Sequence, residues 1–164
     1  ILHNNVGASK GDRKTADLPV ETWDRIMSMN LRGTFLTCKH VLPYMVKQKS
    51  GCIINISSTS SLAARPTLTY KTSKAGVNAL TQHIAMENAA HGIRANAIMP
   101  GVVETRHHEI FTTLEKMEDY RRQTPLGRNS QADEIAQAVL YLASDASRFV
   151  TGAVIDLNGG RFLR

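Results

Sequence analysis

A tyrosine and a lysine four residues apart are the side chains in this sequence best suited to acid–base chemistry. Tyr70 and Lys74 belong to the segment Tyr-Lys-Thr-Ser-Lys, and in a helix side chains at this spacing share one face. A tyrosine hydroxyl has a reference pKa of about 10, and a nearby ammonium group lowers that pKa by favouring the phenolate. Such a tyrosine could protonate a carbonyl oxygen or deprotonate an alcohol. Taken alone, the pair is also compatible with a simple surface contact.

A run of hydroxyl side chains follows an apolar stretch earlier in the chain. Residues 57–61 all carry a hydroxyl group, directly after the β-branched stretch that ends at Ile56. If that stretch is a strand of a parallel sheet, the hydroxyls lie at its carboxyl end, where such sheets bind ligands. One serine there, Ser57 or Ser58, could hold a substrate oxygen by a hydrogen bond. For the run by itself, the simpler interpretation is a turn whose hydroxyls cap the local backbone.

Short apolar strands alternate with longer amphipathic helices around these residues, as is typical of a parallel α/β sheet. The strands are predicted at residues 1–4, 52–56, 93–98 and 153–157, and the helices at residues 19–27, 31–48, 67–90 and 132–144. Residues 103–127 mix polar and apolar side chains, and we expect them to form short helices over an opening. Tyr70 and Lys74 thus fall near the start of a long helix.

The composition argues against several classes of function. No apolar run approaches the roughly eighteen residues that a membrane span needs. The net charge is +6, but the basic residues are scattered and aromatic residues make up only 5%, too few for the stacking surfaces of a nucleic-acid-binding protein. Cys38 and Cys52 have no disulfide-framework spacing and fit a reducing compartment. We therefore expect a cytoplasmic protein that binds neither membranes nor nucleic acids.

One pair of histidines invites a metal-binding interpretation. His107 and His108 precede Glu109 in the segment expected to cover the opening. Adjacent positions on a helix point about 100° apart, whereas a helical zinc site uses histidines at positions i and i+4. The sequence therefore predicts a polar segment near the substrate and no metal site.

Several motifs occur together in the order and approximate spacing of one family. They are Asn4-Asn5-Val6-Gly7, Asn30, Ser58, Tyr70 with Lys74, Pro100-Gly101 with Thr105, and Asn158-Gly159-Gly160. On these motifs the chain resembles the single-domain, tetrameric short-chain dehydrogenases/reductases, and the resemblance covers nearly its whole length. It implies an α/β fold: one partial domain over residues 1–164, with a doubly wound, Rossmann-type parallel sheet of about four strands and flanking helices.

The resemblance also implies hydride transfer between NAD or NADP and a small alcohol/carbonyl substrate. Tyr70 would be the acid/base, and Lys74 would lower its pKa and, with it, hold the nicotinamide ribose. Ser58 would bind the substrate oxygen, and Asn30 would complete a proton relay through water. The implied assembly is a homotetramer.

Three further positions match the family's cofactor contacts. Asn5 would support the adenosine side of the cofactor. The Val103 backbone and the Thr105 hydroxyl would contact the nicotinamide carboxamide. We call residues 104–127 the lid, and the resemblance implies that the lid selects the substrate.

The sequence departs from the family pattern in three respects. Val6 stands where the family usually has alanine. The interval from Ser58 to Tyr70 is one residue shorter than the commonest length, which makes Ser57 a rival for the substrate serine. Ser58 is preferred because the second serine of an Ile-Ser-Ser strand end is usually the functional one. No strand, Gly-rich turn and helix of the kind that binds a pyrophosphate precede Asn4.

The missing Gly-rich turn leads to two further expectations. The chain is expected to be the C-terminal part of such a domain, and the choice between NAD and NADP is expected to depend on the segment that it lacks. The alternative is a truncated, catalytically inactive chain that acts at most as an oligomerisation partner.

Overall fold

Four parallel strands form the central sheet of the structure, a computed structural model that describes residues 1–63 and 67–163. They are β1 (Leu2–Asn4), β2 (Gly51–Ile56), β3 (Ile93–Pro100) and β6 (Val154–Leu157), and they lie in the order β1-β2-β3-β6. Two shorter strands, β4 (Val103–Glu104) and β5 (Ser130–Gln131), pair with each other. The predicted four-stranded parallel sheet is confirmed. The sequence does not predict the pair β4–β5, because two residues carry no periodic pattern.

Within these described ranges, six α-helices connect and cover the strands. They are α1 (Val20–Met27), α2 (Gly33–Gln48), α3 (Leu68–Asn88), α4 (Arg106–Phe111), α5 (Leu114–Arg122) and α6 (Ala132–Ala143). The predicted order of elements is confirmed, including the short helices in the lid. The start of the second long helix differs from the prediction, because Ser28–Arg32 form a π-helical turn that joins α1 to α2. No helix in the described ranges has the length and apolar character that a membrane crossing requires.

Helices cover the sheet on both faces, which explains why its strands read as continuous apolar runs and not as alternating patterns. Ile53 and Ala95 pack on one face with residues of α2 and α3. Ile54 and Ile98 pack on the other face with Leu142 of α6. The predicted doubly wound, Rossmann-type arrangement is therefore confirmed.

A buried amide network crosses the carboxyl ends of β1 and β2. Asn55 is fully buried, and its Oδ1 accepts a hydrogen bond from Asn4 Nδ2 (2.8 Å) while its Nδ2 donates to Thr81 Oγ1 of α3 (2.9 Å). A buried amide without partners would cost about 1–3 kcal/mol. These bonds therefore disfavour any other register of β1 and fix where the loop after β1 begins.

The start of α6 makes the fold sensitive to acid. The Gln131 N–H donates to Glu134 Oε2 (2.8 Å), and Arg128 Nη2 lies 2.6 Å from Glu134 Oε1. These contacts, above all the one with Arg128, lower the pKa of Glu134 from 4.5 to about 2. The carboxylate therefore stabilises the folded chain above about pH 4.5, and that contribution is lost as the pH falls towards 2.

Replacing Glu134 with glutamine is expected to lower the melting temperature at pH 6 by up to about 3 °C, because the pair is exposed and partly screened. The difference from the wild type should shrink as the pH falls from 4.5 to 2. Thermal unfolding followed by circular dichroism measures both effects, with Glu87→Gln on the exposed face of α3 as the control. The same difference at pH 6 and pH 2.5 would contradict the assignment.

Candidate active site

The two candidate acid–base residues lie together at the start of α3. Tyr70 is the third residue of the helix and Lys74 follows one turn later, with Lys74 Nζ 5.9 Å from the centre of the Tyr70 ring. Only 3% of Lys74 is exposed. Its Nζ donates hydrogen bonds to the backbone oxygens of Val6 (3.2 Å) and Ile56 (2.7 Å). The ammonium group is therefore held between the loop after β1 and the end of β2.

Burial sets the protonation of both side chains. It lowers the pKa of Lys74 from 10.5 to about 8, because the charged form loses its hydration. It raises the pKa of Tyr70 above its ordinary value, while a hydrogen bond with Ser58 acts in the opposite direction. Burial therefore dominates the pKa of Tyr70, and the lowering effect of Lys74 stays a prediction. The ammonium bonds to two backbone oxygens, and the desolvation of the phenol dominates.

The two candidate serines after β2 have different surroundings. Ser57 is buried, and its Oγ donates to the backbone oxygen of Lys74 (3.0 Å). Ser58 is half-buried and accepts a hydrogen bond from the Ser60 N–H (3.1 Å), and its hydroxyl lies close enough to Tyr70 to lower the pKa of the tyrosine. Ser57 thus braces α3 against the end of β2, whereas Ser58 places its hydroxyl beside the tyrosine.

Asn30 is fully buried in the π-helical turn between α1 and α2, a kind of turn that recurs at functional sites. Its Oδ1 accepts from the Ala8 N–H (2.9 Å), and its Nδ2 donates to the Ala8 backbone oxygen (3.0 Å) and to Ser73 Oγ (3.0 Å). Ser73 Oγ in turn donates to the backbone oxygen of Tyr70 (2.8 Å). The Asn30 side chain therefore ties the loop after β1 to the helix that carries the tyrosine.

A cavity of about 340 Å³ opens beside Tyr70 and Ser58 at the carboxyl ends of the strands, the edge where doubly wound sheets bind ligands. The loops after β1, β2 and β3, the start of α3 and the lid form its walls. The other lining residues are Gly7, Ala8, Ser9, Thr59, Ser60, Thr67, Gly101, Val102, His108 and Tyr120. Seven of these twelve lining residues therefore carry a hydroxyl group.

The structure places the three candidate cofactor contacts in different settings. Asn5 is exposed just after β1. Val103 lies in β4, in register with Ser130 of β5. Thr105 precedes α4 in extended backbone and lines a second cavity, of about 790 Å³, between α4 and α5. Thr105 thus faces a different cavity from the one that Tyr70 lines.

Gly7 allows the loop after β1 to approach the tyrosine–lysine pair closely. A Cβ atom at this position would lie 3.1 Å from Lys74 Nζ and 3.2 Å from Lys74 Cε. Even the smallest side chain would therefore require the end of Lys74 to shift by a few tenths of an ångström. This requirement gives a physical reason for the glycine of the Asn-Asn-Val-Gly motif.

The lid contributes side chains whose role the sequence alone does not assign. The Tyr120 ring meets the His108 ring edge to face, with 6.4 Å between centres, and the Arg161 guanidinium lies 4.8 Å from the Tyr120 ring centre. The side chains of His107 and Glu109 lie outside the described part of the structure. Within the described part, no group of three or more His, Cys, Asp or Glu side chains could hold a metal ion.

Known proteins of similar shape and sequence show which family the chain belongs to. The family profile described as Enoyl-(Acyl carrier protein) reductase matches residues 1–161. A solved short-chain type dehydrogenase/reductase from Mycobacterium ulcerans superposes with a TM-score of 0.93 at 34% identity, over 99% of this chain and 60% of that one. The chain belongs to the short-chain dehydrogenase/reductase family.

Individual relatives of this short-chain dehydrogenase/reductase chain differ in activity. It is 40% identical to the 3-oxoacyl-[acyl-carrier-protein] reductase FabG of Thermotoga maritima, over 98% of its own length and 65% of that protein. It is 37% identical to the 2-(R)-hydroxypropyl-CoM dehydrogenase of Xanthobacter autotrophicus, over 97% and 65%. The chain thus spans about 65% of the length of these curated relatives.

Solved relatives include proteins with either nicotinamide cofactor bound. A gluconate 5-dehydrogenase from Burkholderia cenocepacia, in complex with NADP and tartrate, superposes with a TM-score of 0.91 at 34% identity over 98% of this short-chain dehydrogenase/reductase chain and 63% of its own. A 3-oxoacyl-[acyl-carrier protein] reductase from Brucella melitensis with bound NAD superposes with a TM-score of 0.90 at 32% identity, over 99% and 62%.

Proposed function

We propose that this chain carries the catalytic centre of an NAD- or NADP-dependent oxidoreductase that interconverts a small alcohol and the corresponding carbonyl compound. One observation carries the proposal: the hydroxyl groups of Tyr70 and Ser58 meet on the wall of a cavity at the carboxyl ends of a parallel sheet. The buried ammonium group of Lys74 lies beside them. The reductase and dehydrogenase relatives support this assignment.

The two hydroxyl groups act together on the substrate oxygen. Tyr70 Oη donates its proton to the carbonyl oxygen during reduction and takes it from the alcohol during oxidation, while Ser58 Oγ holds that oxygen by a hydrogen bond. The raised pKa of Tyr70 keeps the hydroxyl protonated at neutral pH, which is the form that reduction needs. The nicotinamide, when bound, supplies or accepts the hydride.

The surroundings of Lys74 fit the nicotinamide ribose. An ammonium group has three N–H donors, and the bonds to Val6 and Ile56 use two of them. In our proposal the third donor holds a ribose hydroxyl, with Tyr70 beside it. The absence of a side chain at Gly7 leaves space next to the ammonium, because a Cβ there would lie 3.1 Å from Nζ.

The remaining cofactor contacts are proposed from the family resemblance. Asn5 would support the adenosine side, and the Val103 backbone and the Thr105 hydroxyl would bind the carboxamide. Thr105 lines the cavity between α4 and α5, so this contact requires the lid to move towards Tyr70. A pyrophosphate needs N–H donors from a Gly-rich turn before a helix, a motif that these 164 residues lack. We propose that a segment outside them provides these donors and the choice between NAD and NADP.

The proton that Tyr70 gives up is replaced, in this proposal, through Lys74, water and Asn30. Both N–H donors of the Asn30 amide are used, by the Ala8 backbone oxygen and by Ser73, and its oxygen accepts a bond from the Ala8 N–H. Asn30 would therefore serve the relay by holding the loop and α3 at a fixed separation around the water.

We further propose that the protein assembles as a homotetramer in the cytoplasm. Apolar side chains on the outer faces of α2 and α3 support the assembly, since Phe35, Tyr44 and Met86 are 44%, 74% and 75% exposed. Contact with other copies would remove this apolar surface from water. Cys38 and Cys52 are free and buried, as expected in a reducing compartment.

Transfer of deuterium from the cofactor tests the proposed reaction. The full-length protein is mixed with NADH or NADPH deuterated at the transferred position and with a panel of small ketones, keto sugars and 3-oxoacyl thioesters. Mass spectrometry of the alcohol product should show one deuterium on the carbinol carbon for at least one compound. A folded protein that binds the cofactor and transfers no deuterium to any of them would contradict the proposal.

The two serines after β2 should respond differently to replacement. Ser58→Ala is expected to reduce kcat/KM by about 10²-fold, because it removes a donor to the substrate oxygen. Ser57→Ala is expected to reduce stability by about 1 kcal/mol, because it removes the bond to the Lys74 backbone oxygen, with a smaller loss of kcat/KM. Steady-state kinetics and thermal unfolding of both variants separate the effects. A larger kinetic loss in Ser57→Ala would reverse the assignment.

A further inference from the structure

An aspartate in the loop after β1 caps the first turn of α3, where Tyr70 lies. Asp12 Oδ1 accepts a hydrogen bond from the Thr69 N–H (3.1 Å), and Asp12 Oδ2 accepts one from the Tyr70 N–H (2.8 Å). Thr67, which precedes the helix, makes no side-chain cap of its own. The first N–H groups of a helix have no intrahelical partner. A carboxylate from a distant loop therefore provides the cap that the adjacent residue does not.

The turn that presents Asp12 has a defined geometry. The Asp12 N–H donates to the Ser9 backbone oxygen (3.0 Å), which closes a four-residue turn. Gly11, at the third position, has a φ of +82°, the left-handed value that a type II turn requires there and that favours glycine. Arg25 of α1 also donates a hydrogen bond to the Lys10 backbone oxygen. The turn that places the carboxylate beside α3 is thus stabilised by its own backbone bond and by the bond from Arg25.

The negative charge of Asp12 also lies at the first turn of α3, where its hydrogen bonds are made. The N-terminus of a helix carries a partial positive charge, which favours a nearby phenolate. An ionised Asp12 offsets that charge and so favours the protonated hydroxyl of Tyr70. The other ionisable groups that face Tyr70 are Lys74 of the same helix and, across the cavity, His108 and Tyr120 of the lid.

We propose that Asp12 is a positioning residue for Tyr70, which sets both the place of the tyrosine and the charge around its hydroxyl through the first turn of α3. The inference rests on the proposed role of Tyr70 as the acid/base. Asp12 acts through the backbone N–H groups of α3 and not on the substrate. Asn30 has a related role. It bonds to Ala8 of the same loop and to Ser73, and so ties the loop to α3 one turn further along the helix.

Two replacements change the charge and the hydrogen bonds of Asp12 to different extents. Asparagine carries no charge and has a single acceptor oxygen, so it can keep only one of the two hydrogen bonds to α3. Asp12→Asn is therefore expected to lower the Tyr70 pKa by about 0.5–1 unit. The phenolate absorbance of the full-length protein measures this shift, with the spectrum of the corresponding Tyr70→Phe protein subtracted. Asp17→Asn, at an exposed position of the same loop, is the matched control and should leave the pKa unchanged.

Kinetics add a second measurement. Asp12→Ala loses both hydrogen bonds and is expected to lower kcat about tenfold with little change in KM, because the hydroxyl is displaced by a fraction of an ångström. Asp12→Asn can keep one of the two bonds, so its kcat should lie between that of Asp12→Ala and that of the wild type, and its pH profile of kcat/KM should shift to lower pH.

The outcomes distinguish this inference from the proposed function. An unchanged Tyr70 pKa in Asp12→Asn overturns the inference, and so does an Asp12→Ala protein with a lower melting temperature but wild-type kcat and pH profile. A wild-type protein without activity that still shows the expected difference in Tyr70 titration supports the inference and contradicts the proposed function, because the titration requires no turnover.

Discussion

Replacing Tyr70 with phenylalanine is expected to lower kcat by about 10²–10⁴-fold while leaving the binding of NADH or NADPH within a few-fold of the wild type. The ring would still fill the same space at the start of α3. The cavity would keep the Ser58 hydroxyl and the Lys74 ammonium, but neither can replace the proton of Tyr70 at the substrate oxygen. Steady-state assays and cofactor calorimetry on the full-length protein measure the two effects separately.

The second tyrosine of the cavity provides the matched control. Tyr120 lies on the lid and lines the same cavity, so Tyr120→Phe also removes one hydroxyl from its wall without changing α3. We expect this variant to lose less than about tenfold in kcat, since its hydroxyl has no part in the proton transfer. If Tyr70→Phe retained half of the wild-type activity, the proposed acid/base role would be wrong.

Replacing Lys74 with methionine is expected to reduce kcat by more than about 10²-fold, because the site loses a buried cation next to the reacting groups. The same change should affect stability in a pH-dependent way. Burial lowers the pKa of Lys74 from 10.5 to about 8 in the folded chain, whereas the unfolded chain keeps the ordinary value. Between these pH values the unfolded state binds more protons, so the stability of the wild type rises with pH.

Methionine has no ionisable group, so the Lys74→Met variant lacks the pH dependence that Lys74 contributes. The difference in stability between the two proteins therefore measures that contribution. The free energy of unfolding of the wild type, relative to Lys74→Met, should rise by up to about 1.4 kcal/mol per pH unit between pH 8 and 10. Chemical denaturation at a series of pH values measures it. Lys47→Met, at an exposed position on α2, is the control and should show no such trend. A pH-independent difference between the wild type and Lys74→Met would contradict the burial effect.

The parts of this fold that the sequence predicts are those with a local signal. The strands are short apolar runs because helices cover both faces of the sheet, and the helices show the expected apolar spacing. The Tyr70–Lys74 pair is predictable for the same reason, since a separation of four residues places both side chains on one helical face. The sequence favours Ser58 over Ser57, and the structure places Ser58 beside the tyrosine, although its role stays a prediction.

The features that the sequence does not predict depend on contacts between distant segments. Asp12 bonds to the backbone of Tyr70, which lies 58 residues away in the sequence. No sequence pattern of a polar loop residue predicts such a contact. The sequence predicts an effect of Lys74 on the tyrosine from the spacing alone. In the structure the ammonium group bonds to the Val6 and Ile56 backbone oxygens, while burial lowers the pKa of the lysine and raises that of the tyrosine.

The all-parallel sheet has a consequence for how quickly this chain can fold. Leu2 pairs with Ile53, Gly51 with Ile93 and Ala97 with Val154, so roughly forty to sixty residues separate the partners at every strand junction. Such distant pairings are slow to form, and no hairpin can serve as an early nucleus of this sheet. During synthesis, β3 has no β6 to pair with until Val154–Leu157 have been made, and its edge stays exposed until then. The interval between the synthesis of β3 and that of β6 is therefore the stage at which this sheet is most exposed to aggregation.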